Sequence, residues 1–85
     1  MYDESGTTEM TETARVLAER LAADLRTRTR GDMRPRVWTG NGVARVYTGY
    51  GSEYVQVEAN GRTERSKSRM TWGHVIDEAT EALTN

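Results

Sequence analysis

An 85-residue chain with 35% apolar residues, no Phe and no Cys has room for one domain with a thin core, and for no disulfide, thiolate metal site or thiol catalysis. Twelve basic and thirteen acidic residues leave a net charge of −1, which argues against a simple nucleic-acid coat or a membrane-surface protein. No apolar run approaches the roughly 18 residues of a membrane span, and the polar, acidic start is unlike a signal peptide, so the expectation is a cytoplasmic domain with a core drawn from Val, Leu, Ala, Met, both Trp and part of the Tyr.

Residues 1–7 are expected to be a flexible tail, followed by a single domain over 8–85. Thr8 is a good N-cap, and Glu9 and Glu12 follow where the helix dipole favours anions. Met10, Ala14, Leu17, Leu21 and Leu25 recur at helical spacing, with the opposite charges Arg15–Glu19, Arg20–Asp24 and Asp24–Arg28 four apart on the outer face. The pattern predicts a helix from about Glu9 to Arg28, stopped by Gly31, after which Pro35 sets the chain extended.

From Arg36 the period changes to that of strands. Short strands are expected over Arg36–Thr39, Val43–Thr48 and Glu53–Ala59, joined by turns at Gly40-Asn41-Gly42 and Gly49–Ser52. Asn60-Gly61 is the strongest two-residue turn, and Arg62–Ser66 can complete a polar fourth edge strand. A final helix follows, with Thr71 as its cap, Met70 and Val75 as a hydrophobic staple, and Trp72, Val75, Ile76, Ala79 and Leu83 as its apolar stripe. His74, Asp77, Glu78 and Glu81 are placed on its outer face.

The fold class expected is α+β, in the order α-β-β-β(-β)-α, with two amphipathic helices packed on one face of an antiparallel meander. This order resembles, in topology alone, that of double-stranded RNA-binding domains. Those domains carry a lysine-rich start to their last helix, whereas here that helix begins Trp72-Gly73-His74, and no site is carried across.

Each helix has one apolar stripe, so both are expected on one side of the sheet, facing Val46, Val55 and Val57 with Ala44 beside them. Alternation then turns Arg45, Tyr47, Tyr54 and Gln56, joined by Tyr50 from the turn, to the other face. Tyr and Arg on a rigid sheet can anchor a protein partner or stack on bases. A solvated sheet surface is the plain alternative, and a second copy of the chain is another occupant.

The basic residues fall in two segments. Arg26, Arg28, Arg30, Arg34 and Arg36 carry +4 against one Asp, and Arg62, Arg65, Lys67 and Arg69 carry +3 against one Glu. With four strands both segments reach the same end of the sheet; with three they separate. A single basic pole would attract phosphate backbones or an acidic protein surface, and the plain alternative is solvated arginine that complements a helix C-terminus.

His74 and Glu78 share a spacing that could hold a metal but lack further ligands. Asp77, Glu78 and Glu81 lie on an outward helix face, where solvation is the expected role. The glycine-rich turns lead from strand to strand and so do not make phosphate loops. No catalytic group and no metal or other cofactor is expected. The sequence favours a non-catalytic module acting through a protein partner, of the kind found among accessory proteins of phages or mobile elements and inhibitors of host complexes. A nucleic-acid-binding domain using the basic pole and the exposed tyrosines is the alternative.

Overall fold

The computed structural model describes residues 4–84, with side chains described from Thr8 onward. Helix α1 spans Glu4–Arg28, strands β1 to β4 span Arg36–Gly40, Val43–Tyr47, Tyr54–Glu58 and Thr63–Arg65, and helix α2 spans Gly73–Leu83. The strands form one antiparallel sheet in sequence order. The α+β order read from the sequence is therefore the observed one, with the fourth strand formed.

The core sits on one side of that sheet. Ala14, Ala18, Leu21, Ala22 and Leu25 of α1 are buried together with Ala44, Val46, Val55 and Val57 of β2 and β3, and α2 adds Ile76, Ala79 and Leu83 to the same cluster. α1 lies across β1, β2 and β3, and α2 lies against α1. α2 reaches the sheet at its rim, where Asp77 pairs with Arg65 of β4 and Thr84 lies against the Asn60–Gly61 turn. The three alanines in the α1 stripe let the helix approach the valine surface closely, and each fully buried Leu contributes about 1.5–3 kcal/mol by leaving water.

Helix α1 begins at Glu4, before the expected start, so Thr8 lies inside it and is not its cap. Of the tail expected over 1–7, residues 1–3 lie outside the described residues. The helix overhangs the sheet: Met10 sits above the β1–β2 turn, near Gly42, and is 53% exposed, so it leaves the core stripe that its spacing suggested. Arg15 bridges Glu12 at 2.6 Å and Glu19 at 3.1 Å, and its hydrogen bond and charge hold the Glu12 carboxyl below its usual value.

The C-terminus of α1 closes as expected near Gly31. The Gly31 amide donates to Arg26 at 2.9 Å and the Arg30 amide to Thr27 at 3.1 Å, the two bonds of a Schellman motif. Buried Thr29 then joins helix to strand, its hydroxyl donating to the Leu25 carbonyl at 2.8 Å and accepting from the Met33 amide at 3.0 Å. Met33 is fully buried behind it.

The start of α2 departs from the expected cap. Trp72 occupies the N-cap with a left-handed backbone, φ 61°, and makes no side-chain cap. Its indole N–H donates to the Tyr50 hydroxyl at 2.9 Å, which holds this bulky residue in a conformation it otherwise avoids. Thr71 instead turns to Glu53, whose buried carboxylate accepts the Thr71 amide at 3.0 and 3.2 Å and the Thr71 hydroxyl at 3.4 Å. Glu53 lies just before β3, in the β2–β3 turn, where its own backbone pairs with Thr48. One carboxylate thus docks the entry of α2 onto the sheet. Glu53→Ala is expected to cost about 2 kcal/mol, the range for hydrogen bonds to a charged group, and Glu53→Gln less, because its amide oxygen still accepts. Urea denaturation of the two variants measures both.

Candidate functional site

The strand registers decide what the second sheet face carries. Trp38 pairs with Arg45, Arg45 with Gln56 and Gln56 with Glu64, forming one row across the sheet. Arg36, Tyr47 and Tyr54 form the next row. Both helices lie on the other side, so neither covers these rows.

The side chains on this face hold one another. The Arg45 guanidinium lies 4.3 Å from the centre of the Tyr54 ring and 5.6 Å from that of Trp38. Its Nε donates to Gln56 Oε1 at 3.2 Å, and its Nη1 donates to the Tyr47 hydroxyl at 3.4 Å. Tyr47 and Tyr54 meet at 5.4 Å with rings tilted by 52°. The Tyr47 contact raises the affinity of the Arg45 guanidinium for its proton. The cation, the amide and three rings form a surface whose rotamers are already chosen.

Trp38 is the member that sequence reasoning missed, having been counted with the core. It is 47% exposed. Its signal was present in the Asn41-Gly42 turn: a two-residue loop pairs Gly40 with Val43, and alternation then places residue 38 opposite Arg45. Tyr50 is the reverse case. Expected on this face, it instead packs against the core side and accepts the Trp72 indole hydrogen bond.

The basic residues sort into two groups. Because β4 forms, the entry to β1 and the exit from β4 lie at the same end of the sheet, which is also the end where α1 finishes and α2 begins. Arg62 is not part of this pole. It lies at the start of β4, at the opposite end, 3.7 Å from Glu58. Arg28 is held between Asp24 at 3.0 Å and Glu78 at 3.3 Å, Arg65 is paired with Asp77, and Lys67 lies 3.8 Å from Glu53. Arg26, Arg30, Arg34, Arg36 and Arg69 make no ion pair among the described residues. They are contributed by the last turns of α1, the connection to β1, the first residue of β1 and the connection from β4 to α2.

Two of the three acidic side chains of α2 have structural work. Asp77 and Glu78 tie α2 to β4 and to α1 through those pairs, and exposed His74 lies 3.1 Å from Glu78. Among the described residues no group of three or more His, Asp or Glu side chains is placed to hold a metal. None of the helices among the described residues is long and apolar enough to cross a membrane. A shallow groove of about 80 Å³ between α1 and α2 is lined by Arg20, Leu21, Asp24, Ala79, Ala82 and Leu83 and brings no reactive groups together. No protein-family model, curated protein or solved structure matches the chain.

Two substitutions probe this geometry. A Cβ on Gly40 would lie 2.9 Å from Cη2 of the Trp38 ring, so the indole rests on bare backbone. Gly40→Ala is expected to swing the ring off its seat, seen as a shift of the Trp38 indole N–H resonance with that of Trp72 unmoved. Arg30 takes the left-handed position of the Schellman turn, φ 53°, where glycine is favoured. Arg30→Gly is expected to raise stability by about 1 kcal/mol, measured by thermal denaturation, while removing one of the unpaired charges of the pole.

Proposed function

We propose that the chain is a non-catalytic binding module that captures a protein partner on its open sheet face. The observation that carries this reading is the preassembled set of Trp38, Arg45, Tyr47 and Tyr54. Trp, Tyr and Arg are the residue types that dominate binding energy at protein interfaces, and here their side-chain freedom is already restricted by mutual contact. The charge distribution on the face supports a protein rather than a nucleic acid. Arg45 is engaged with Tyr54, Tyr47 and Gln56, and Glu64 lies in the same row, so the face presents no run of free cations to a phosphate backbone. A role as an accessory protein of a phage or mobile element, or as an inhibitor of a host complex, is the setting this reading favours. It rests on the small, arginine-rich character of the chain.

The unpaired arginines at the basic pole support a second reading, a nucleic-acid-binding domain with phosphates along Arg26, Arg30, Arg34, Arg36 and Arg69. The two readings differ in salt dependence and in the residues required. Affinity capture with the wild-type chain is expected to recover one stoichiometric protein that is lost with Trp38→Ala and with Arg45→Ala, and retained with Arg34→Ala/Arg69→Ala, whose side chains lie outside the strands. A central aromatic or Arg anchor removed in this way costs about 2 kcal/mol or more, a loss of roughly thirtyfold or greater in affinity. Recovery that is indifferent to Trp38 and Arg45 would sink the leading reading. Binding to single- or double-stranded DNA or RNA that weakens steeply with salt, and is lost with the Arg34 and Arg69 changes, would establish the second.

A further inference from the structure

The two edges of the sheet are unequal. β4 is three residues long, carries Glu64 and Arg65, and has α2 fastened to its rim through Arg65 and Asp77. These are the features by which sheets blunt an edge. β1 is five residues long, Arg-Val-Trp-Thr-Gly, with a single charge at its start, and no described strand or helix pairs with its outer side.

The hydrogen-bond parity of that outer side follows from the rest of the ladder. The Thr48 amide bonds to Glu53, and residues 44 and 46 share its parity, so they face β3. Residues 43, 45 and 47 therefore face β1, and on β1 residues 36, 38 and 40 face back. The N–H and C=O groups of Val37 and Thr39 are left pointing away from the sheet.

We propose that β1 pairs antiparallel with β1 of a second copy, about a two-fold axis at Trp38, joining two sheets into one continuous sheet. The pairing is self-complementary at each position. Val37 of one copy meets Thr39 of the other, and the two exchange both backbone hydrogen bonds, as their parity requires. Trp38 meets Trp38 at the non-hydrogen-bonded position, where side chains on opposite strands come closest, with Cα atoms about 4.5 Å apart. Arg36 meets Gly40 of the second copy, so no like charges oppose each other. Each Trp38 ring already lies over its own Gly40, and the incoming Arg36 guanidinium of the second copy therefore arrives on an indole face, a cation–π contact. The two open faces become one surface on the same side of the joined sheet. The pairing is independent of what that surface binds.

Sedimentation equilibrium over a concentration series, with amide hydrogen exchange on the same samples, tests this. The wild-type chain is expected to move from 9.6 kDa toward twice that mass, with the Val37 and Thr39 amides gaining protection as the dimer forms. Thr39→Pro removes one outward N–H at an edge position that tolerates proline, and is expected to stay monomeric with an unchanged circular dichroism spectrum. Trp38→Lys sets like charges opposite one another on the axis and is expected to be monomeric as well, which covers failure of the proline variant to fold. Thr39→Pro leaves Trp38, Arg45 and Tyr54 in place, so protein capture on the face persists in it and the two proposals fail separately. A wild-type chain that is monomeric throughout would overturn the inference. So would a dimer that persists in both variants, or protection of Val37 and Thr39 only when a different protein is bound.

Discussion

The contact between the alanine-rich stripe of α1 and the valines of β2 and β3 is the interaction on which the rest depends. Ala14, Ala18 and Ala22 give the helix a narrow side that can settle close to Ala44, Val46, Val55 and Val57. Close packing excludes water from both surfaces and fixes strand register, because a slip of one residue would turn the valines to solvent and Arg45 and Gln56 into the core. α2 strengthens this layer by packing against α1 and clamping β4. It does not provide a second layer. With the core spent on one side, Trp38, Arg45, Tyr47 and Tyr54 share the other, and their mutual contacts are the arrangement open to large side chains on a sheet face that neither helix covers.

Alternation along the strands makes most of this legible in the sequence. The valines of β2 and β3 imply the core face, and their neighbours Arg45, Tyr47, Tyr54 and Gln56 imply the open one. Where sequence reasoning fails, a longer-range interaction has replaced a local rule. Thr71 has the form of an N-cap, but the carboxylate of Glu53, eighteen residues away in the chain, takes its amide and hydroxyl. Tyr50 lies in a turn, where no alternation rule applies, and the Trp72 indole draws it to the core side. Met10 keeps the helical spacing of the stripe, yet the sheet beneath ends before the helix does. Trp38 differs from these: its placement follows from the hairpin register, and the general tendency of tryptophan to be buried obscures it.

The charges show a related division of labour. Opposite charges that a sequence shows only as separate runs, such as Arg65 with Asp77 and Arg28 with Glu78, meet in the fold and fasten α2. These partly exposed pairs are worth little singly, and their effect is to orient one helix rather than to supply stability. Among the described residues, Arg26, Arg30, Arg34, Arg36 and Arg69 are left without an ion pair at one end of the sheet. Arg30 is informative here, because a glycine would suit its left-handed backbone better and the chain places a cation there instead.

The open face and the free edge of β1 share one residue, and that bears on how the two surfaces relate. Trp38 lies on the face by its side chain and at the edge by its strand. Its indole covers Gly40 and lies within reach of Arg45, so it links the edge to the arginine–tyrosine cluster through a single ring. A partner strand on β1 would bury part of that ring and leave Tyr47 and Tyr54, one and two strands inward, accessible. Pairing at the edge therefore enlarges the aromatic surface without consuming it. Two copies joined edge to edge as proposed would present the two open faces as one surface twice as wide, with no additional core.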